Sequence, residues 1–299
     1  MAIKKTNQPH LLVFGPGYSA SAFISAAVDK KWQVSATWRR EEAAQEILAH
    51  GAHPVAFSTE SLMRQDIQNN ITHILVSIAP QPDGDPVLGL FKDWIAACPN
   101  LQWIGYLSST NVYGDHKGRW VDETDTPNPS LERGKRRLAA EKDWLQLGTN
   151  AGVPVHIFRL AGIYGQERNA LTNVRKGKAR RVIKPGQVFG RIHRDDIASA
   201  LWLAANSGLE SSIFNLADDM PSPPQDVICE AARLLGTKPP PEIDFKEATL
   251  SPMGRSFYQE NKRVKNQKAK DLLGWKLAYP DYLQALPKIL EIEKTLKAD

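Results

Sequence analysis

The stretch His10-Leu11-Leu12-Val13-Phe14-Gly15-Pro16-Gly17-Tyr18-Ser19-Ala20 joins an apolar run of strand length to a tight glycine turn, and a small-residue helix follows. Gly15 permits the sharp turn, Gly17 lets the backbone come close to a ligand, and Ala20 keeps the helix near the strand. Backbone N–H groups at the helix start, those of Tyr18 and Ser19 among them, then face an anion such as a dinucleotide pyrophosphate. The context supports the turn. Phe23, Ile24, Ala27 and Val28 make a helical apolar face, Lys30 and Lys31 suit its C-terminus, and Trp32, Val34, Ala36 and Trp38 alternate like a second strand.

That second strand ends in Trp38-Arg39-Arg40, where an NAD-binding chain usually carries Asp or Glu for the ribose hydroxyls. A carboxylate there repels a 2′-phosphate, whereas each guanidinium offers charge-assisted hydrogen bonds worth roughly 1.5–3 kcal/mol. NADP is therefore the expected cofactor. The alternative is that both arginines solvate the start of the helix from Glu41 to His50 and pair with its glutamates.

At 299 residues with 42% apolar content, the chain is long enough for one large or two modest domains with a full core. No apolar stretch approaches the ~20 residues of a membrane span, and Lys4 and Lys5 run straight into a short strand rather than a signal segment. The expected location is the cytoplasm. Cys98 and Cys229 are too few for a disulfide framework or a metal site. The net charge of +5 concentrates in Arg175–Arg181 and Asn261–Lys265, without interleaved aromatic residues to stack bases. These runs read as solvated faces, with a phosphate-bearing small substrate as the alternative, and a nucleic-acid partner is not expected. A monomer and a homodimer are both compatible with the sequence.

Strand and helix signals keep alternating, the pattern of an α/β Rossmann-type doubly wound parallel sheet. Pro54–Phe57 reads as the third strand and Ile71–Ala79 as a central strand covered on both faces. Asp85 caps a helix with Pro86 at its first position, Trp103–Leu107 is the next strand, Ser130 caps a helix to Leu147, and Val153–Arg159 is the sixth strand. Asp196–Ala205 is helical, and Ser212–Leu216 is one more strand. Residues 1–165 thus form the dinucleotide-binding domain, with 187–218 returning to it. Residues 219–299, with 166–186, form a small C-terminal substrate or lid domain.

Three motifs together carry a resemblance. The glycine turn, Ser108-Ser109-Thr110-Asn111-Val112-Tyr113-Gly114, and Arg159-Leu160-Ala161-Gly162-Ile163-Tyr164-Gly165 followed by Arg191-Ile192-His193-Arg194-Asp195-Asp196 resemble the extended short-chain dehydrogenases/reductases, the NAD(P)-dependent sugar epimerase/dehydratase family. The glycine turn is one residue shorter than the usual extended form. Gly84-Asp85-Pro86, Trp120-Val121-Asp122-Glu123 and Gly274-Trp275 look like an atypical subgroup.

The resemblance implies that Ser109 hydrogen-bonds the substrate oxygen; Ile78, Ala79 and Ser108 are expected to line the cofactor and Asp85 to reach the substrate, and Arg133, Arg168 and Arg175 offer positive charge to an anionic group on it. The family's Tyr-x-x-x-Lys falls on Arg133 and Arg137, within Arg133-Gly134-Lys135-Arg136-Arg137-Leu138-Ala139-Ala140-Glu141. Spacing of four keeps both side chains on one helix face, beside the expected nicotinamide. An arginine titrates at roughly 12.5 or above and stays charged, so Arg133 is no ordinary general base. Arg137 can still hold the nicotinamide ribose, and both arginines as exposed helix charges is the other reading. Tyr113 and Tyr164 are candidate replacement donors, and His193 a weaker one that positions a loop and helix.

Two functions follow from this reading. The first is an NADP-binding oxidoreductase or epimerase acting on a small polar substrate, phosphorylated or nucleotide-linked. The second is a catalytically degenerate NADP-binding sensor.

Overall fold

A computed structural model describes residues 8–296; Lys4 and Lys5 lie outside them. Seven strands form one sheet: β1 (His10–Phe14), β2 (Gln33–Trp38), β3 (His53–Ala56), β4 (His73–Val76), β5 (Trp103–Ser109), β6 (Val155–Leu160) and β7 (Ser212–Leu216). Their spatial order is β7-β6-β5-β4-β1-β2-β3, and every neighbouring pair is parallel. This is the doubly wound Rossmann-type order, in which the chain reverses its direction of travel between β1 and β4.

Alternation along β1 divides the core. Leu11 and Val13 point to one face, where they meet Phe23, Ile24 and Ala27 of α1 (Tyr18–Asp29). Leu12 and Phe14 point to the other, where Phe91 and Ile95 of α3 (Pro86–Ala96) and Trp144 and Leu147 of α4 (Glu132–Ala151) cover them. Between these, α2 (Glu41–Ala49) links β2 to β3. Burial on both faces explains why the central strands read as continuous apolar runs. The central strand is nonetheless shorter than the apolar run Ile71–Ala79, because the chain leaves the sheet after Val76 and Ser77–Pro80 form a loop.

The rest of the chain builds a smaller body against the carboxyl ends of the strands. Helices α5 (Ala170–Arg175), α7 (Pro224–Leu234), α8 (Pro252–Phe257) and α10 (Tyr282–Thr295) belong to it, while α6 (Arg194–Ala205) packs on α1, and α9 (Gln267–Leu273) packs on β7 and α6 with Ala269 and Leu273 in the main core. Leu171, Val227, Ala231, Leu286 and Ile289 form its main apolar cluster. Three two-stranded parallel pairs tie it together: 162–164 with 191–193, 181–183 with 242–244, and 120–121 with 263–264. The last joins the C-terminal body to the loop after β5. Such two- and three-residue strands leave no periodic signature in the sequence.

A buried charge network locks the sheet to α4. Glu141 accepts from Ser108 Oγ at 2.5 Å, from Arg159 Nη2 at 2.8 Å and from Arg159 Nε at 3.2 Å, and all three residues are almost wholly buried. The Arg159 guanidinium also lies 4.8 Å from the Tyr113 ring centroid. Removing one partner strands the other charge in a low-dielectric interior. Glu141→Ala is therefore expected to cost about 3–5 kcal/mol of unfolding free energy, measured by urea unfolding followed by circular dichroism, with an unchanged midpoint as the contrary result.

Candidate functional site

At the end of β1 the chain turns at Gly15, whose φ of +81° disfavours any side chain, and a Cβ there would lie 2.7 Å from Ile78 Cγ1. Thr37 Oγ1 accepts from the Gly15 amide at 3.2 Å, which fixes the turn to β2. Gly17 is the N-cap of α1 and supplies no side-chain cap, and a Cβ built there meets nothing within 4 Å. The first turn of α1 thus opens onto free space beside uncapped amides. These residues fit a dinucleotide pyrophosphate. Ser19 and Ala20 are buried, Ile78 is half-buried against the turn, and Ala79 is exposed beyond it.

Trp38 is half-buried and Arg39 and Arg40 are exposed at the end of β2. Neither guanidinium forms an ion pair with the α2 glutamates among the described residues. Tyr18 reaches across the turn: its hydroxyl donates to Gln166 O at 2.7 Å, and the Arg194 and Arg168 guanidiniums lie 4.8 and 5.6 Å from its ring centroid.

A cavity of about 940 Å³ lies between the carboxyl edge of the sheet and the smaller body. It meets the glycine turn at Ser19 and Ser77, and Ser108, Ser109, Arg133, Arg137 and Arg168 line it. Ser109 ends β5 and caps a single 3-10 turn, its Oγ accepting from the Asn111 amide at 3.2 Å. The hydroxyl proton is left to donate to a ligand oxygen.

Arg133 and Arg137 share one face of α4. Arg137 Nη1 donates to Leu107 O at 2.6 Å and to the Tyr106 hydroxyl at 3.4 Å, so it is fastened to β5. Arg133 turns the other way. Its Nη1 donates to Ser256 Oγ at 2.6 Å and its guanidinium lies 4.8 Å from the Phe257 ring centroid, both on α8. Neither is simply a solvated helix charge.

Three residues expected at the site lie elsewhere. Tyr113 is fully buried and its hydroxyl donates to Asn215 Oδ1 at 2.8 Å, so packing beneath the strand end takes it from the cavity. Burial pushes its phenol up to about 12. Asp85 is a buried helix cap, accepting from the amides of Val87 and Leu88 and from Trp144 Nε1. Arg175 pairs with Glu293 across α10 instead of lining the cavity. Tyr164 does line it, with a buried hydroxyl that has no partner, and burial pushes its phenol upward. His193 is stacked on Tyr279 at 3.6 Å, and burial, with the nearby Arg194 charge, lowers its imidazole to about 4 and keeps it neutral.

The sequence reading also missed residues. Glu260, Lys262 and Arg191 line the cavity, although Lys262 belongs to a run read as a solvated face; it is 8% exposed. Ser130, expected to cap α4, donates instead to Glu260 Oε1 at 2.8 Å, and α4 begins at Glu132. Opposite charges two residues apart before an extended segment, on one side of the backbone, were the available signal.

No family model matches the chain. Protein YeeZ of Escherichia coli (strain K12) is 31% identical over 193 residues, and the match spans 60% of this chain and 60% of the curated relative's length. The solved structure of a functionally unknown conserved protein from Silicibacter pomeroyi DSS is 43% identical, with a TM-score of 0.89, covering 96% of this chain and 100% of that one. The dTDP-glucose 4,6-dehydratase from Bacillus anthracis str. Ames, solved in complex with NAD, is 16% identical with a TM-score of 0.75, covering 97% and 98% of the two chains, and shares the fold. No described helix is long and apolar enough to cross a membrane.

Behind the cavity wall, Asp218 is 2% exposed and neither carboxyl oxygen has a hydrogen-bond donor in normal geometry. Burial pushes it up to about 8 despite the nearby Arg191 guanidinium. Unfolded, the group titrates near ~3.9, so between about pH 4 and 8 the folded state holds the extra proton and stability falls as pH rises. Burial holds Asp196 at about 6, which gives the same sign at lower pH. Asp218→Asn is therefore expected to remove most of the decline between pH 6 and 8 in thermal unfolding midpoints. An unaltered slope is the opposing outcome.

Proposed function

We propose that this chain, which belongs to the same family as the Silicibacter pomeroyi protein, is an NADP-binding oxidoreductase or epimerase acting on a small polar, anionic substrate. The observation that carries the reading is the uncapped, open start of α1 at Gly17, continuous through Ser19 and Ser77 with a cavity holding Ser109. The pyrophosphate is held by the α1 amides, and the adenosine 2′-phosphate by Arg39 and Arg40, which no glutamate neutralises. Arg137, already fixed on Leu107 O, keeps further N–H donors for the nicotinamide ribose. Bound there, the cofactor supplies or accepts hydride.

Ser109 donates to the substrate oxygen, and Arg133 and Arg168 attract its anionic group. A sensor that binds the cofactor without turnover is the second reading, favoured by one observation: Arg133 stands where a titrating tyrosine is expected and is tied to α8.

Calorimetry with both reduced cofactors tests the binding claim. NADPH is expected to bind more tightly than NADH, and each of Arg39→Ala and Arg40→Ala to weaken NADPH by ~10- to 100-fold while leaving NADH unchanged. Equal affinities in the native chain would remove the specificity claim. In turnover assays with NADPH and a panel of aldehydes, ketones and nucleotide sugars, Ser109→Ala is expected to lower the rate ~10²- to 10³-fold. Tight NADPH binding with no oxidation across the panel selects the sensor.

A further inference from the structure

Resting on the reading above, we propose that Lys262 is the group that gives and takes the proton in this cavity, in place of the tyrosine whose position Arg133 occupies. Lys262 lies on the cavity wall that also carries Ser109, and its position is set by backbone on both sides. Residues 263–264 pair with 120–121, which anchors the segment just after it. Its Nζ donates to Glu260 Oε2 at 2.8 Å and to Gly114 O at 2.8 Å. Glu260 is held in turn by Ser130 Oγ. Gly114 ends the turn that Ser109 caps; its φ is +74°, and a Cβ there would lie 1.9 Å from Asn128 O, so the backbone that presents this carbonyl to Lys262 requires glycine.

An ammonium has three N–H donors, and two of the three are engaged here. The third remains for a ligand in the cavity. The charged groups facing Nζ are Glu260 and Asp115, which favour its proton, and Arg133, which repels it; burial has the largest effect, and the balance lowers its affinity for the proton. A lysine desolvated in this way releases a proton more readily than an exposed one, whereas the arginines beside it stay charged.

The proton accounting is simple. In the reductive direction an N–H bond of Lys262 breaks as an O–H bond forms on the substrate's carbonyl oxygen, and the carbonyl carbon gains the hydride that the reduced nicotinamide supplies. Lys262 is left as a neutral amine and regains its proton from solvent. In the oxidative direction it takes the proton of the substrate hydroxyl. Ser109 donates its hydrogen bond to the same oxygen throughout. Arg133, on this account, attracts the substrate's negative group and holds α8 over it.

Three measurements on the full chain decide the matter. The ζ-ammonium signal of Lys262, identified in proton–nitrogen NMR by its absence in Lys262→Met, is expected to titrate below the ordinary lysine value of ~10.4; titration at or above that value overturns the proposal and needs no substrate. Lys262→Arg keeps the charge and the reach to Glu260 but has no releasable proton. With NADPH and the carbonyl panel, this variant is expected to lose ~10²- to 10⁴-fold in rate while binding NADPH within twofold of the native chain. Native turnover in Lys262→Arg assigns the residue a purely structural part and also overturns the proposal. Failure of the native chain to bind NADPH instead removes the cofactor reading on which both rest, so the two failures are told apart by calorimetry.

Discussion

The contact between the Gly15 turn and the exit of β4 is the constraint on which the architecture hangs. Strands β1 and β4 are neighbours and parallel, yet the chain leaves them in opposite directions along the sheet, so their carboxyl ends must part. Gly15 folds back against Ile78, leaving no room for a Cβ, and α1 departs on one side while Ser77–Pro80 departs on the other. A crevice at that point is a geometric result of the strand order, and the uncapped helix start faces it. The second body then closes the crevice into a cavity, tied down by short strand pairs rather than by a sheet of its own.

Charge placement around this cavity follows one physical rule. Three cations on its wall are each tied to a backbone carbonyl. Arg137 is held by Leu107 O, Lys262 by Gly114 O and Glu260, and Arg191 by the carbonyls of Phe189 and Ser222. Carbonyl oxygens anchor a guanidinium without cancelling its charge, so at Arg137 and Arg191 the wall stays positive toward an incoming anion, whereas Glu260 offsets the charge of Lys262. Glu141 and Arg159 follow the opposite rule: both charges are paired and fully enclosed, and they stiffen the junction of β5, β6 and α4 that carries Ser108 and Ser109.

The arginines at positions 133 and 137 take different mechanical parts. Arg137 docks on β5, whereas Arg133, one turn earlier, extends to Ser256 and Phe257 and so couples α4 to α8. The position that the resemblance leads one to expect in proton exchange is a structural link between the two bodies. Proton exchange, where it occurs, must fall to a different side chain on the cavity wall.

The parallel sheet, its order of strands and helices, and the glycine turn were legible in the sequence because each depends on local periodicity or on a backbone conformation that only glycine tolerates. The placement of Ser109 at a strand end and of Arg133 and Arg137 on one helix face was also legible, since a motif fixes their register. What the sequence could not disclose was which side chains turn toward the cavity. Tyr113 and Asp85 look chemically apt but are taken by Asn215 and by a helix N-terminus, while Lys262, in a basic run that reads as surface, and Glu260 just before that run are drawn inward by residues more than a hundred positions away in Gly114 and Ser130. Local sequence determines how the chain curls. Long-range pairing alone decides which polar groups lose water and meet, because desolvation is a property of what packs above a residue and not of its neighbours in the chain.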